Sequence, residues 1–159
     1  MLYLSLIHIL GPELTRPARS LKLWMTLQIL GKEAMAKTID HSFQMAELAE
    51  KSIKSHADWE IVSHAQLGIV NFRFAPKGYA ESALDEINQK IAKEITDNGY
   101  AQVFTTEIKG KKVLRICTLH PETTAEDIQN TILRLAHSHA VTSAMQLSGV
   151  NKNASKISA

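Results

Sequence analysis

Apolar positions recur at helical spacing along the first third of the chain and alternate through its middle. Leu21, Trp24, Leu27 and Leu30 return every three residues, with Leu23 and Met25 widening the stripe, which predicts a helix opening near Pro17. Proline suits a first helical turn, where its missing N–H leaves nothing unpaired. Gly31 is a stop or a bend. A second helical segment follows over Lys32 to Ser55, its apolar face drawn from Met35, Ile39, Phe43, Met45, Leu48 and Ile53. The two segments are either one bent helix or two packed ones.

At His56-Ala57-Asp58 the period changes. Trp59 to His64 and Leu67 to Phe74 read as strands. In the second, Val70, Phe72 and Phe74 share one face, and Ile69, Asn71 and Arg73 the other. This pattern calls for a sheet covered on one side, and it leaves Arg73 as a solvated arginine. Gly68 marks a bulge or a close approach of backbone. Pro76-Lys77-Gly78 is a turn. A helix over Ser82 to Asn98 carries Leu84, Ile87, Ile91 and Ile95 inward. Ala101 to Ile108 and Lys112 to Leu119 form a hairpin about Lys109-Gly110. A last helix, capped by Thr123 with Glu126, turns Ile128, Ile132 and Leu135 inward.

The predicted order is helix, helix, strand, strand, helix, strand, strand, helix. The fold class is α+β: N-terminal helices, then a small antiparallel sheet with helices mainly on one face. The chain has 159 residues, enough for one domain with tails, and 45% of them are hydrophobic, enough for a core. A net charge of +2 with interspersed signs excludes a nucleic-acid stripe. Residues 1–10, MLYLSLIHIL, are apolar but lack the charged start and small-residue cleavage site of a signal peptide. They read as a buried strand or as the atypical, truncation-related beginning of a longer protein. The polar stretch 148–159 is a flexible tail. No run reaches the ~18 apolar residues that a membrane span needs. A single cysteine, Cys117, allows no internal disulfide and suits a reducing compartment.

Candidate chemistry is sparse. Arg115 lies in KVLRICTL, on the strand face shared by Val113, Cys117 and Leu119. A charge there must snorkel, pair or meet a ligand. Arg16 and Arg19 stand where irregular chain becomes helix, and either recognise a carboxylate or phosphate or pair with nearby acids. Cys117 reads as a buried small hydrophobe. His41 and His56 read as surface or capping residues and His120 as a turn residue. His137 and His139 point about 200° apart on one helix, at ~100° per residue, and cannot share a metal. No phosphate-binding loop, nucleophile elbow, HExxH or CxxC occurs, so neither a catalytic nor a metal-ligating residue is assigned.

The order and spacing of ELTRPARSLKLW, of Leu67 to Phe74 and of Val113 to Ile116 resemble the C-terminal part of the group II pyridoxal-phosphate-dependent amino acid decarboxylases. These include the aromatic-L-amino-acid, histidine, glutamate and L-2,4-diaminobutyrate decarboxylases. The resemblance runs from Gly11 to about Leu135. It implies that 11–147 is the small C-terminal domain of a fold-type I enzyme, a cytoplasmic homodimer that releases carbon dioxide from an L-amino acid. Pyridoxal phosphate would supply the electron sink. Arg115 matches, residue for residue, the family's strand arginine that meets the substrate carboxylate. Arg16 and Thr15 match an arginine and a small residue lining the same entrance. No cofactor-binding residue is implied, because the family's anchoring lysine follows a histidine and no lysine here does. The chain alone would then be inactive, its part being substrate contact, closure and dimer support. The rival reading is a self-contained, non-enzymatic α+β ligand-binding or regulatory module.

Overall fold

The structure, a computed structural model, describes residues 18–146. The 1–10 stretch, Thr15, Arg16 and the 148–159 tail lie outside the described residues. The chain divides into two units, one ending at Lys37 and one beginning at Thr38. Helix α1, Arg19–Lys54, contains one break, at Gly31, where φ is 77° and ψ 166°. Only glycine takes this conformation without a Cβ penalty, so the predicted stop or bend is a kink. Before it, Leu21, Leu23, Trp24, Met25, Ile29 and Leu30 are all exposed, Trp24 to 59% and Ile29 to 76%. They lie all round the helix rather than along one stripe.

In the second unit, four antiparallel strands form one sheet in the order β1-β2-β4-β3: β1 Trp59–Gln66, β2 Ile69–Phe74, β3 Phe104–Ile108 and β4 Lys111–Cys117. Helices α2 (Glu81–Asp97), α3 (Ala125–Ala136) and α4 (139–146) complete it. Val70, Phe72 and Phe74 of β2, with Leu114 and Ile116 of β4, are buried against Ala49 and Ile53 of α1, Ile91 and Ile95 of α2, and Ile128, Ile132 and Leu135 of α3. Trp59 extends this face, its ring centroid 5.6 Å from that of Phe72 and 5.4 Å from that of Phe74. The α+β class with helices on one face of an antiparallel sheet is what the alternation predicts.

Some details differ from the sequence pattern. Along α1 the fully buried positions are Ser42, Ala46, Ala49 and Ile53, whereas Ile39 is 42% exposed. Small residues face the sheet because the helix comes close to it. A Cβ on Gly68 would lie 3.0 Å from Ser42 Oγ, so the close approach expected at Gly68 is real. Leu67 leaves the strand: with φ values of 50° and 75°, Leu67 and Gly68 make a two-residue turn, as Lys109 and Gly110 do at 53° and 74°. The capping box is one residue later than expected. Thr124 Oγ1 accepts from Asp127 N at 3.1 Å, and Thr124 N donates back to Asp127 Oδ2 at 2.9 Å. The helix predicted to hold both His137 and His139 ends at Ala136 with His137 as its C-cap, and α4 begins at His139.

Two polar latches hold helices to the sheet. Asn88, fully buried on α2, accepts from Phe74 N at 2.8 Å and donates to Phe74 O at 2.9 Å, replacing a neighbouring strand at the end of β2. Glu50 on α1 accepts from Lys54 Nζ at 2.6 Å, Ala65 N at 2.6 Å and His64 Nδ1 at 2.8 Å. Hydrogen bonds from Lys54, then from Ala65 and His64, hold its carboxyl down at about 2 against an ordinary 4.5.

Asn88→Ala is expected to destabilise the protein by about 2–4 kcal/mol, because both backbone groups of Phe74 lose their partner in a dry site; urea unfolding checks this. The depressed Glu50 carboxyl contributes stability that is present above pH 4.5 and lost as pH falls toward 2. The gap in melting temperature between wild type and Glu50→Gln should therefore be widest near pH 6, narrow steadily below pH 4.5 and close only below about pH 2.

Candidate functional site

The face of the sheet opposite the core carries the polar residues of β2 and β4. Register places Ser63, Asn71, Arg115 and Phe104 directly opposite one another, one from each strand in the order β1, β2, β4, β3. Side chains on one face stand at every second residue. Arg73 is therefore two residues from Asn71 on the same face, opposite Glu60.

The two arginines differ in how their charge is met. Arg73, read from sequence as solvated, is 3% exposed. Its Nε donates to Glu60 Oε2 at 3.0 Å, and Nη1 and Nη2 donate to the two oxygens of Glu81 at 2.7 and 3.2 Å. Glu81, at the start of α2, brings its carboxylate over the sheet, and Lys111 approaches it at 3.6 Å. The hydrogen bond from Arg73 holds the Glu81 carboxyl below its ordinary range. The alternation showed which face Arg73 takes but not that a helix terminus covers it.

Arg115 is half-buried and makes no ion pair among the described residues. Its Cζ lies 6.0 Å from the centroid of the Phe104 ring. Its Nε is buried without a hydrogen-bond partner, and so is Oδ1 of Asn71, the residue facing it. The amide of Asn71 is held from the other side, Nδ2 donating to Ser63 Oγ at 2.7 Å. Buried polar groups left unpaired are uncommon and point to strain, water or a ligand. The sequence singled out Arg115; Asn71 and Ser63 carried no signal beyond sharing its face.

The end of β4 is anchored two residues beyond Ile116. Thr118, 1% exposed, donates from Oγ1 to Ser42 O at 2.7 Å and Gly68 O at 3.1 Å, and from its backbone N to Gly68 O at 2.8 Å. This ties β4, the β1–β2 turn and α1 together close to Arg115. Cys117, expected to be buried, is exposed: it is the last residue of β4, opposite Ile69 and on the side away from the core residues Leu114 and Ile116. His41 Nε2 donates to Thr123 O at 2.8 Å, and His56 Nδ1 to Ser52 O at 2.9 Å, both capping or bridging roles. No group of three or more His, Cys, Asp and Glu among the described residues could hold a metal ion.

Residues 10–75 match the pyridoxal-dependent decarboxylase conserved domain. The chain is 41% identical over 126 residues to an aromatic-L-amino-acid decarboxylase of Bacillus atrophaeus, covering 79% of this chain and 26% of that protein. It is 31% identical over 123 residues to an L-2,4-diaminobutyrate decarboxylase of Acinetobacter baumannii, covering 77% and 24%. Its fold resembles the glutamate decarboxylase domain of the diaminobutyrate-pyruvate transaminase and L-2,4-diaminobutyrate decarboxylase of Vibrio parahaemolyticus. That match has 27% identity and a TM-score of 0.64 over 82% of this chain and 28% of the other. The chain thus spans about a quarter of the length of the curated relatives it matches.

Proposed function

We propose that this chain, similar over most of its length to a segment of the pyridoxal-dependent decarboxylases, is the C-terminal portion of an amino acid carboxy-lyase. The whole enzyme releases carbon dioxide from an L-amino acid to give an amine. The observation that carries the reading is the contrast between the two arginines of the open sheet face. Arg73 is saturated by carboxylates of its own chain, whereas Arg115 has none among the described residues. Its guanidinium fork is held on a strand, half-buried beside Phe104, where lowered dielectric strengthens its attraction for an anion. Arg115 binds and orients the substrate carboxylate, and Arg16 and Thr15 are its proposed companions at the entrance.

Pyridoxal phosphate is the family's cofactor, and the described part of this chain does not fit it. Among the described residues no lysine is buried. Lys51 and Lys90 line surface clefts, one with Leu48, Ser52 and Leu133, the other with Tyr79, Ile87 and His139, and both lysines are exposed. Neither cleft provides the enclosed imine site that an anchoring lysine requires. The chain's own contribution is to hold the carboxylate and exclude water; bond cleavage belongs to the rest of the enzyme. The exposed apolar surface of α1 supports docking against that remainder or against a second subunit of a homodimer. No described helix is long and apolar enough to cross a membrane, and the proposed compartment is the cytoplasm. The similarity to decarboxylases outweighs the reading as a self-contained regulatory module.

The isolated chain is expected to bind no cofactor covalently. After incubation with pyridoxal phosphate and reduction with borohydride, its mass should show no stoichiometric pyridoxyl-lysine; one fully labelled lysine with turnover would overturn the reading. In the complete enzyme, Arg115→Ala should lower kcat/KM by about tenfold to a few hundredfold, the worth of a roughly 1.5–3 kcal/mol charge-assisted bond. Arg115→Lys should recover only part, lacking the planar fork. An Arg115→Ala enzyme that melts several degrees lower yet keeps its kcat/KM would make the arginine structural.

A further inference from the structure

Arg73 and Arg115 sit on the same face of adjacent strands, and the fold treats them alike up to a point. Each has a polar residue directly opposite on a neighbouring strand: Glu60 opposite Arg73, Asn71 opposite Arg115. In Arg73 each of the three guanidinium nitrogens has a carboxylate partner. Nε goes to the cross-strand partner Glu60, and the Nη1/Nη2 fork goes to both oxygens of one carboxylate, Glu81. In Arg115 the corresponding Nε is buried and unpaired, and the cross-strand partner offers a buried, unpaired acceptor, Asn71 Oδ1. Because Asn71 Nδ2 is held by Ser63 on β1, the carbonyl oxygen is the end of that amide left for β4.

We propose that Asn71 is a positioning residue for Arg115: its Oδ1 receives the Arg115 Nε–H when the Nη1/Nη2 fork engages a carboxylate, as Glu60 serves Arg73 while Glu81 fills its fork. The inference rests on the reading of Arg115 as a carboxylate-binding arginine and extends it to a residue outside the motif that carried that reading. The difference between the two partners has a chemical consequence. Glu60 is an anion and leaves Arg73 neutralised by its own chain. Asn71 is neutral, so it orients the guanidinium without consuming its charge, which stays available to an external anion. Ser63 fixes the amide, and the Phe104 ring flanks the guanidinium on the other side, so the row across the four strands restricts the fork to one orientation.

The test uses the purified chain with arginine labelled by nitrogen-15 and acetate as the carboxylate probe. The Arg115 Nε–H signal is assigned by its disappearance in Arg115→Lys. In the wild type, acetate should shift this signal downfield and slow its exchange with water, following a saturable titration. In Asn71→Ala, acetate affinity should fall roughly tenfold, the equivalent of one hydrogen bond to a charged group, and the exchange rate of Nε–H should no longer respond. Asn71→Asp should separate the two effects: Nε–H is protected without acetate, and acetate affinity falls because part of the charge is already met. The Asp variant also serves if Asn71→Ala fails to fold. If Arg115→Ala leaves acetate binding unchanged, the carboxylate reading of Arg115 is wrong. If Arg115→Ala abolishes binding while Asn71→Ala and Asn71→Asp bind acetate as the wild type does, the carboxylate reading stands and the positioning role of Asn71 is overturned.

Discussion

A strand presents its side chains alternately to two faces, and the second unit of this protein is built on that constraint. In β2, Val70, Phe72 and Phe74 take the core, so Asn71 and Arg73 must take the other side. In β4, Leu114 and Ile116 take the core, so Arg115 must stand between them on that other side. A one-residue slip in either strand would put an arginine among phenylalanines. The burial that stabilises the sheet therefore also aims the charged residues, and the arginine face exists because the aromatic face does.

The helices that cover the core add a second requirement, close approach. Ser42, Ala46 and Ala49 of α1 are small, and Gly68 lacks the Cβ that would press on Ser42 Oγ at 3.0 Å. Thr118 uses that proximity to bond both Ser42 O and Gly68 O. Polar latches of this kind are strong because water is excluded from them. Asn88 does the same at the other end of β2, pairing both backbone groups of Phe74 beyond the last β2–β4 pair, Phe72 with Leu114. These bonds keep the strand register from slipping, and with it the position of Arg115.

On the open face the chain saturates one arginine and leaves the other. Arg73 is enclosed by Glu60 and Glu81, a structural network that fastens α2 to β1 and β2. Arg115 has an aromatic ring, an opposed amide and no acid among the described residues. Arg115 is thus the arginine of this face whose charge is left for an external anion in the reading proposed above. The chain covers about a quarter of the length of the decarboxylases it is similar to.

Periodicity alone settled the order of elements through α3, the α+β class, the two faces of β2 and β4, the Lys109-Gly110 turn and the prominence of Arg115, because each depends on spacing along a single strand or helix. The bend at Gly31 and the crowding at Gly68 were legible too, since glycine is the residue that tolerates them. Other features depend on what lies across a gap in sequence. The burial of Arg73 needs a glutamate at the start of the next helix; the buried face of α1 is set by closeness to the sheet, which favours alanine and serine over the larger apolar residues. Leu67 reads as a strand residue until the hairpin closes around it, and Cys117 as buried until the face beyond Ile69 is seen to be open. Asn71 was invisible for the same reason: its significance lies in facing Arg115, 44 residues away in sequence but its direct partner across two strands. Only tertiary structure makes such pairs, since hydrogen bonding and desolvation act through space.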